Sequence, residues 1–502
     1  MTIVDTRAGK VEGFERDGIH QFRGIPYAAP PVGPLRWRPP VREEPWSGVR
    51  DATRFSAESA QGPFPLAQMM GGTPPERSED SLTLNVYTPG TDEPRRPVLV
   101  WIHGGAFMNG SASTPWYDGT RFAQHGDVVV VTLNYRLGPF GFLHLADLVG
   151  PELAGSGNAG ILDQIAALEW VRDCIGAFGG DPDQVMVFGE SAGAGSVGTL
   201  LGTPRARGLF TAAVPQSGAA SWAVSSDDAT AVAELVCAAL GVKPGDLDAL
   251  YATTTDQLVD TVQQYRSWVA NRPRMPFAPV VDGVVLPAPP LDAIRAGSAA
   301  GVRLLTGTNT DEMTLFHLAD PGYATIDEAE LRRRVGEWLP FADPDAVVAG
   351  YRAALPDATA PLLWSAISTD AVFRIPAIRL AEAQSAHAPT WMYLFSWPST
   401  AFGGALRSTH ALEIPFVWDN LHKRGSEMFT GPGEERQAIA DAMHRAWLAF
   451  ASTGTPDHPG IPTWPTYEPT RRATMGFDET IEVLDDPSGD TRALWDTHAP
   501  DA

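Results

Sequence analysis

One stretch of the sequence constrains the fold more than any other, because it places a serine in a tight turn between a strand and a helix. Residues 185–188 form an apolar run with the length of a buried strand, and residues 189–193 read Gly-Glu-Ser-Ala-Gly. A G-x-S-x-G pattern between a strand and a helix is a nucleophile elbow, whose turn holds the serine oxygen above the sheet edge. The same pattern also fits a glycine-rich turn with an ordinary serine at its tip. Partners elsewhere in the chain must therefore decide what Ser191 does.

Predicted strands and helices alternate around this stretch. Continuous apolar runs at residues 98–102, 128–134 and 210–214 predict buried strands. Apolar residues three or four positions apart over residues 161–176 predict a helix with one buried face. Strand, helix and strand in succession indicate an α/β fold with a large, mostly parallel central sheet flanked by helices. Binding sites in such sheets lie at the carboxyl ends of the strands.

The rest of the chain predicts additions to this sheet. Residues 2–54 are rich in glycine and proline and predict a small N-terminal β region. Helical periodicity dominates residues 229–268 and 327–386, which we interpret as helical insertions over the active site. Other predicted elements are strands at 82–87, 302–305 and 391–395, of which the second runs into a loop by residue 309, and an amphipathic helix at 437–451. No repeat or long linker interrupts residues 1–502, so a single domain is the simplest organisation.

Composition excludes several classes of protein. The 502 residues carry a net charge of −23, whereas nucleic-acid and anionic-membrane binding require a basic surface. No apolar stretch has the length of a membrane span, and the N-terminus lacks the apolar region of a signal peptide. Cys174 and Cys237 lie in helix-like segments and are expected to be small core residues. These features favour a cytoplasmic protein with no nucleic-acid or membrane partner.

A serine becomes a nucleophile only when a base takes its proton and a third group orients that base. Seven histidines follow Ser191: His317, His387, His410, His422, His444, His458 and His498. His444 falls on the predicted helix at 437–451, and His458 and His498 lie in loops expected at the surface. His410 lies between a Gly-Gly loop and an apolar run. On spacing alone it fits the base and an ordinary loop histidine equally well.

Two residues compete for the role of the orienting acid. Asp311 and Glu312 both follow the predicted strand at 302–305 through a short loop, and either could reach an imidazole nitrogen. A solvent-facing loop carboxylate is the alternative for each of them. The residues themselves leave this choice open.

Acyl transfer also requires donors for the negative charge on the oxygen of the tetrahedral intermediate. Gly104 and Gly105 follow the predicted strand at 98–102 and can turn their amides toward a substrate, and the amide of Ala192 begins the elbow helix. His103 is expected to be a packed residue that shapes this glycine loop. No metal-binding motif is present, and we expect neither a metal nor a cofactor.

Several collinear motifs resemble the type-B carboxylesterase family, which includes cholinesterases and bacterial para-nitrobenzyl esterases. They span nearly the whole chain and lie, besides the elbow, at residues 22–28 (Phe-Arg-Gly-Ile-Pro-Tyr-Ala), 79–86 (Glu-Asp-Ser-Leu-Thr-Leu-Asn-Val), 103–107 (His-Gly-Gly-Ala-Phe), 134–138 (Asn-Tyr-Arg-Leu-Gly), 157–164 (Gly-Asn-Ala-Gly-Ile-Leu-Asp-Gln), 307–312 (Gly-Thr-Asn-Thr-Asp-Glu) and 410–417 (His-Ala-Leu-Glu-Ile-Pro-Phe-Val). The resemblance implies an α/β-hydrolase fold.

The resemblance also implies a function and a set of site residues. It implies a serine carboxylic-ester hydrolase with a Ser191–His410–Glu312 triad, a covalent acyl-enzyme and an oxyanion hole of Gly104, Gly105 and Ala192. Ser217 matches a buried second serine that supports the acid–base pair, and Glu190 matches a glutamate common beside the nucleophile. Hydrolysis of amides, carbamates or lactones by the same residues is an alternative. A non-catalytic, cholinesterase-like binding protein is a further alternative.

The sequence also supports expectations about where the enzyme works and what it acts on. Secreted members of the family carry a disulfide where this chain has Ser59 and Ser81, which agrees with a bacterial, cytoplasmic enzyme. The expected partner is a small-molecule ester, with a short-to-medium acyl chain and a bulky alcohol. The sequence does not distinguish a monomer from a dimer.

Overall fold

Thirteen strands join in one sheet in the part of the chain that the computed structural model describes, residues 1–63, 76–92, 95–269 and 275–498. Their order across the sheet is β1-β2-β3-β7-β9-β8-β10-β11-β14-β15-β16-β17, and β4 pairs with β2. Two short pairs, β5 with β6 and β12 with β13, lie outside it. The strands are β1 (Thr2–Thr6), β2 (Gly9–Arg16), β3 (Ile19–Pro26), β4 (Val49–Asp51), β5 (Glu58–Ser59), β6 (Arg77–Ser78), β7 (Thr83–Thr88), β8 (Arg96–Ile102), β9 (Val129–Leu133), β10 (Gly180–Glu190), β11 (Ala212–Gln216), β12 (Val224–Ser225), β13 (Val280–Val281), β14 (Arg303–Asn309), β15 (Thr390–Phe395), β16 (Ala473–Phe477) and β17 (Glu482–Asp485).

The middle of the sheet is parallel. From β9 through β8, β10, β11, β14 and β15 to β16, each strand runs parallel to the next. Antiparallel β7 and β17 flank this parallel part, and β1–β4 extend it at the N-terminal side. The carboxyl ends of β8, β10, β11, β14 and β15 therefore lie side by side at one edge.

Both faces of the sheet are buried, which explains why its strands read as continuous apolar runs. On β8, Val98, Val100 and Ile102 pack into one core cluster, and Leu99 and Trp101 pack into another. Strands β9 and β10 alternate between the same two clusters.

Helices cover both faces and build a third, smaller core cluster beside the sheet. None of the described helices is long and apolar enough to cross a membrane. They are α1 (Thr120–Gly126), α2 (Gly138–Gly141), α3 (Ala146–Val149), α4 (Ala159–Cys174), α5 (Ala192–Gly202), α6 (Ser226–Leu240), α7 (Leu247–Tyr251), α8 (Thr255–Val269), α9 (Pro290–Arg295), α10 (Thr314–His317), α11 (Glu328–Trp338), α12 (Pro344–Ala354), α13 (Ala360–Thr369), α14 (Ile375–Ser385), α15 (Ile414–Val417), α16 (Ser426–Thr430), α17 (Glu435–Thr453) and α18 (Gly489–His498).

The predicted α/β fold and its mostly parallel sheet are confirmed. The predicted strand at 210–214 begins two residues later, at Ala212, and the strand predicted from residue 302 continues to Asn309 before the loop begins. The strands β16 and β17 were not predicted, since each is short and lies among turn-forming residues. The placement of His498 in a loop was wrong, because it ends helix α18. Both cysteines are free and buried in helices, as expected.

Candidate active site

Ser191 stands in a strained turn between β10 and α5. Its φ of 57° and ψ of −123° are unusual for a residue with a side chain. Its amide donates to the carbonyl oxygen of Gln216 at 3.0 Å, which ties the turn to the end of β11. Backbone strain of this kind costs about 1–3 kcal/mol and persists where the surrounding structure imposes it.

The two glycines of the pattern are required by a close approach to β8. A Cβ atom at Gly189 would lie 2.5 Å from the carbonyl oxygen of Ile102, and one at Gly193 would lie 2.0 Å from the same oxygen. Both distances are well inside van der Waals contact. The strand–turn–helix prediction for residues 185–201 is therefore confirmed in its physical detail.

His410 and Glu312 meet beside this turn. The Nδ1 atom of His410 lies 2.7 Å from Oε2 of Glu312, and both side chains are buried. Asp311, the alternative to Glu312, turns away and pairs with Arg407 at 2.7 Å. The structure thus distinguishes Glu312 from Asp311, whereas the sequence alone could not decide between these two carboxylates.

The other imidazole nitrogen of His410 faces a second carboxylate. Its Nε2 atom lies 3.1 Å from Oε1 of Glu190. Within the described residues, this oxygen makes no hydrogen bond of ordinary geometry, so the contact is a charge pairing. No hydrogen bond joins His410 to Ser191 among the described residues. Burial acts to lower the pKa of His410, but the charges of Glu190 and Glu312 outweigh it and raise the pKa to about 9.

Two groups hold the remaining oxygen of Glu312. Oε1 accepts the hydroxyl of Ser217 at 2.5 Å and the backbone amide of Asn309 at 2.7 Å. Ser217 is fully buried, with a left-handed φ of 52°, at the turn that follows β11. Both oxygens of Glu312 are therefore held in place.

A third buried glutamate was not singled out by sequence reasoning. Oε2 of Glu413 accepts the side-chain amide of Asn309 at 2.7 Å, and Oε1 accepts that of Gln216 at 3.3 Å. Burial, together with the nearby charge of Glu312, raises the pKa of Glu413 to about 7. Its position in the motif at 410–417, about one helical turn after His410, is the sequence feature that could have indicated a place in the site.

The glycine loop after β8 lies against the elbow. A Cβ atom at Gly104 would lie 3.0 Å from that of Ser191, and Gly105 has a φ of 113°. The amides of Gly104, Gly105 and Ala192 donate to no acceptor among the described residues. Gly104 and Ala192 thus lie beside Ser191, and the N–H groups of all three predicted donors are unused among the described residues.

His103 shapes this loop from within the core. It is fully buried, stacks on Tyr135 with ring centroids 4.6 Å apart, and places Nδ1 2.9 Å from the carbonyl oxygen of Gly104. Burial lowers the pKa of His103 to about 4, so the ring is neutral. The expectation of a packed residue agrees with this environment.

Aromatic side chains, which we call the aromatic wall, line the candidate site. Phe373 lies 4.8 Å and Phe316 lies 5.1 Å from the ring of His410, between centroids. Trp222 packs on Phe373 at 5.7 Å, and a Cβ atom at Gly195 would meet its ring at 2.8 Å. The wall therefore extends from His410 to the first turns of α5. Among the described residues, no group of three or more His, Cys, Asp or Glu side chains is placed to hold a metal.

A buried serine pair lies where the resemblance noted in the sequence implies a disulfide in secreted proteins. The hydroxyls of Ser59 and Ser81 lie 2.9 Å apart, and Ser59 also donates to the carbonyl oxygen of Tyr135 at 2.7 Å. Both serines are buried. A hydrogen bond thus links the segments that a disulfide would link.

The chain is similar to known proteins along its whole length. The model of the carboxylesterase family matches residues 1–495. A para-nitrobenzyl esterase of Bacillus subtilis (strain 168) is 41% identical over 498 residues, which cover 98% of this chain and 97% of that protein. A phenmedipham hydrolase of Pseudarthrobacter oxydans is 34% identical over 503 residues, with 96% and 97% covered. A crystal structure of a Geobacillus stearothermophilus carboxylesterase at pH 6.2 superposes with a TM-score of 0.90 at 44% identity, covering 99% of this chain and all of that one.

Proposed function

Because the chain belongs to the carboxylesterase family and is a carboxylic ester hydrolase, we propose that it acts through Ser191, His410 and Glu312. Ser191 is the nucleophile, His410 the general base, and Glu312 the acid that orients the base. The observation that carries this assignment is the 2.7 Å contact between Nδ1 of His410 and Glu312, beside the strained turn of Ser191.

The reaction proceeds through a covalent acyl-enzyme. Nε2 of His410 first loses its own proton to solvent and turns from Glu190 to Ser191. Ser191 then attacks the ester carbonyl carbon while Nε2 takes the hydroxyl proton. The tetrahedral intermediate collapses, and His410 gives this proton to the departing alcohol. A water molecule, activated by the same base, then attacks the acyl carbon and releases the acid. Glu312 stays ionised and bonded to Nδ1 throughout, which keeps the imidazole in the required tautomer.

The amides of Gly104, Gly105 and Ala192 form the oxyanion hole. Gly104 and Ala192 lie next to Ser191, Gly105 follows Gly104, and the N–H groups of all three are not engaged by acceptors in the described part of the chain. Preorganised donors of this kind contribute about 3–4 kcal/mol each to the stabilisation of the transition state.

Ser217 and Glu190 support the reaction from two sides. Ser217 fixes Glu312 through its hydroxyl, so the carboxylate presents its other oxygen to His410. Glu190 pairs with Nε2 of His410 in the free enzyme and stabilises the positive charge that this ring carries after proton transfer.

The aromatic wall defines the substrate class. An apolar surface next to His410 favours esters whose groups can pack against rings, with a short-to-medium acyl chain and a bulky alcohol. A panel of para-nitrophenyl esters that increase in acyl length from acetate to palmitate measures this selectivity. Preference for the long-chain members would contradict it. Comparison of a matched anilide with its ester would show whether amide hydrolysis competes.

The Ser59–Ser81 hydrogen bond and the two free, buried cysteines mean that the described fold contains no bond that needs an oxidant. We propose on this basis that the enzyme folds and works in the reducing cytoplasm.

A serine-to-alanine pair of variants tests the mechanism. We expect Ser191→Ala to abolish hydrolysis of para-nitrophenyl butyrate, with a loss of at least about 1,000-fold in kcat. Ser452→Ala is the matched control, because Ser452 is exposed near the end of α17 and should retain full activity. A fluorophosphonate probe should label the native protein and the control but not Ser191→Ala. An active Ser191→Ala enzyme, or an inert native protein, would contradict the assignment.

A further inference from the structure

We infer that Arg374 is a positioning residue for ester hydrolysis, because it fixes the loop that carries Glu312. This inference rests on the proposed function of Glu312. It comes from a short π-helical turn, Asp370–Arg374, that interrupts the helical segment between α13 and α14. Such turns are rare and are frequently found at functional sites.

The side chain of Arg374 binds backbone carbonyl groups of the segment that leads to Glu312, which we call the acid loop. Its Nη2 atom donates to the carbonyl oxygen of Thr310 at 2.7 Å and approaches that of Asn309 at 3.5 Å. The amide of Asn309 donates to Oε1 of Glu312. The guanidinium of Arg374 therefore contacts the carbonyl side of Asn309, while the N–H group of Asn309 binds Glu312.

The guanidinium is itself held by a buried chain of side chains. Nη1 of Arg374 donates to Oδ1 of Asp370 at 2.8 Å, and Oδ2 of Asp370 accepts the hydroxyl of Tyr351 at 2.5 Å. Nε1 of Trp495 donates to the same hydroxyl at 2.7 Å. Asp370 and Tyr351 are fully buried, so Arg374 has a rigid anchor in the helical cluster outside the sheet.

The same π-helical turn places Phe373 against His410. One short segment thus touches both partners of the proposed pair, the ring of His410 through Phe373 and the loop of Glu312 through Arg374. Each residue advances an α-helix by about 100°, so the extra residue inserted in a π-helical turn rotates the residues after it by about that angle relative to an uninterrupted helix. We attribute to the insertion the ability of neighbouring residues to reach both targets.

Arg374 is also accessible from outside. It lines a cleft that encloses about 320 Å³ of empty space, open solvent included, together with Thr308, Ile378 and Arg472. Arg472 provides a matched comparison, because it lines the same cleft but donates to Glu382 and Pro469 and not to the acid loop. A small cation could enter this cleft after truncation of Arg374.

The first experiment compares Arg374→Met with Arg472→Met in the full-length enzyme. We expect Arg374→Met to lower kcat by about 10- to 100-fold with KM changed less than twofold, since small displacements of a catalytic group cost rate rather than binding. Arg374→Lys should recover part of the loss, and Arg472→Met should keep native kcat. Equal loss of kcat in the two methionine variants, or native kcat in Arg374→Met, would overturn the inference.

Chemical rescue separates positioning from folding. Methylguanidinium at about 10–50 mM should raise kcat of Arg374→Ala several-fold by occupying the place of the lost guanidinium, and equal concentrations of sodium chloride or urea should not. Arg472→Ala should not respond. Rescue of both alanine variants, or of neither, would count against positioning. Failure of the proposed function would look different, because Ser191→Ala would then stay active and the native enzyme would keep its activity after treatment with the fluorophosphonate probe.

Discussion

Nε2 of His410 lies 3.1 Å from Oε1 of Glu190, although the proposed role of this nitrogen is to take a proton from Ser191. The opposite nitrogen is already bonded to Glu312, so the ring lies between two carboxylates. Burial raises the pKa of Glu190 well above its ordinary value, and the charge of His410 opposes that rise. We assign the shared proton to His410, whose pKa two glutamates raise to about 9, so the ring is an imidazolium in the free enzyme. Under the proposed mechanism the base becomes available only when His410 loses that proton and turns its Nε2 from Glu190 to Ser191.

A change at Glu190 should therefore move the pH dependence of the reaction. Catalysis needs neutral His410, so kcat/KM rises as pH increases through the pKa of this ring in the free enzyme. Glu190 is one of the groups that raise this pKa to about 9. We expect Glu190→Gln to shift the acid limb of the kcat/KM profile to lower pH by about 1–2 units, since loss of a nearby opposite charge has effects of this size.

The control for Glu190→Gln is Asp311→Asn, which removes a charge near Glu312 that pairs with Arg407 and not with His410. It should leave the acid limb within about 0.3 units of its native position. An unmoved acid limb in Glu190→Gln would show that the Glu190 contact does not set the protonation of the base.

Glu413 should make the free energy of unfolding depend on pH. Burial raises its pKa from 4.5 to about 7 in the folded protein, so the folded state binds more protons than the unfolded state between these values. Its contribution is fully present below pH 4.5 and is lost as pH rises through 7. Glu413→Gln stays neutral throughout and should become more stable, relative to the native protein, by a few kcal/mol on going from pH 4.5 to pH 7.5.

Urea unfolding of both proteins at these two pH values measures the effect. At each pH the unfolding free energy of the native protein is subtracted from that of Glu413→Gln. The two differences are then compared, so contributions from other titrating groups cancel. A difference that is the same at both pH values would contradict the role assigned to Glu413.

The elbow should tolerate no side chain at Gly193. Gly193→Ala places a Cβ atom 2.0 Å from the carbonyl oxygen of Ile102, and backbone cannot yield there without moving β8. We expect a loss of at least about 2 kcal/mol in unfolding free energy and loss of esterase activity. Gly176→Ala is the matched control, because nothing lies within 4 Å of its added Cβ and its φ is ordinary. Denaturant melts and ester assays of both variants check this, and equal stability of the two would refute the steric argument.

The Ser59–Ser81 pair should accept a disulfide. Their hydroxyl oxygens lie 2.9 Å apart and 22 positions apart in sequence. The double variant Ser59→Cys/Ser81→Cys should gain about 2–4 kcal/mol of unfolding free energy after oxidation, chiefly through restriction of the unfolded chain. The same protein in dithiothreitol is the control and should show no gain. Stabilisation that persists under reduction would mean that packing and not a covalent bond is responsible.

Local chemistry explains what the sequence could predict. The elbow needs glycine on either side of Ser191 for contacts with one strand, so its signature is confined to five consecutive residues. The parallel strands could also be predicted from the sequence. Helices cover both faces of the sheet, so successive side chains of β8 pack into the two core clusters and leave a continuous apolar run. Such features depend on neighbours along the chain and leave a continuous pattern.

The relations between distant residues could not be read in this way. Asp311 and Glu312 share a loop and a charge, and only the packing of the loop sends one to Arg407 and the other to His410. The contact of Glu190 with His410 joins the end of β10 to a loop residue 220 positions later. The π-helical turn Asp370–Arg374 leaves no periodic signal in five residues. Each of these depends on the assembled sheet edge.

The site lies at the carboxyl ends of five neighbouring strands, β8, β10, β11, β14 and β15, and His410 is the last of the three proposed triad residues in sequence. During synthesis from the amino terminus, the ribosome therefore exposes the elbow serine long before its base exists. Loop closure over such separations is slow, so assembly of the sheet edge is a late event in folding. Under the proposed mechanism a nascent chain that lacks His410 is inert toward cellular esters, and the onset of hydrolysis reports assembly of this sheet edge.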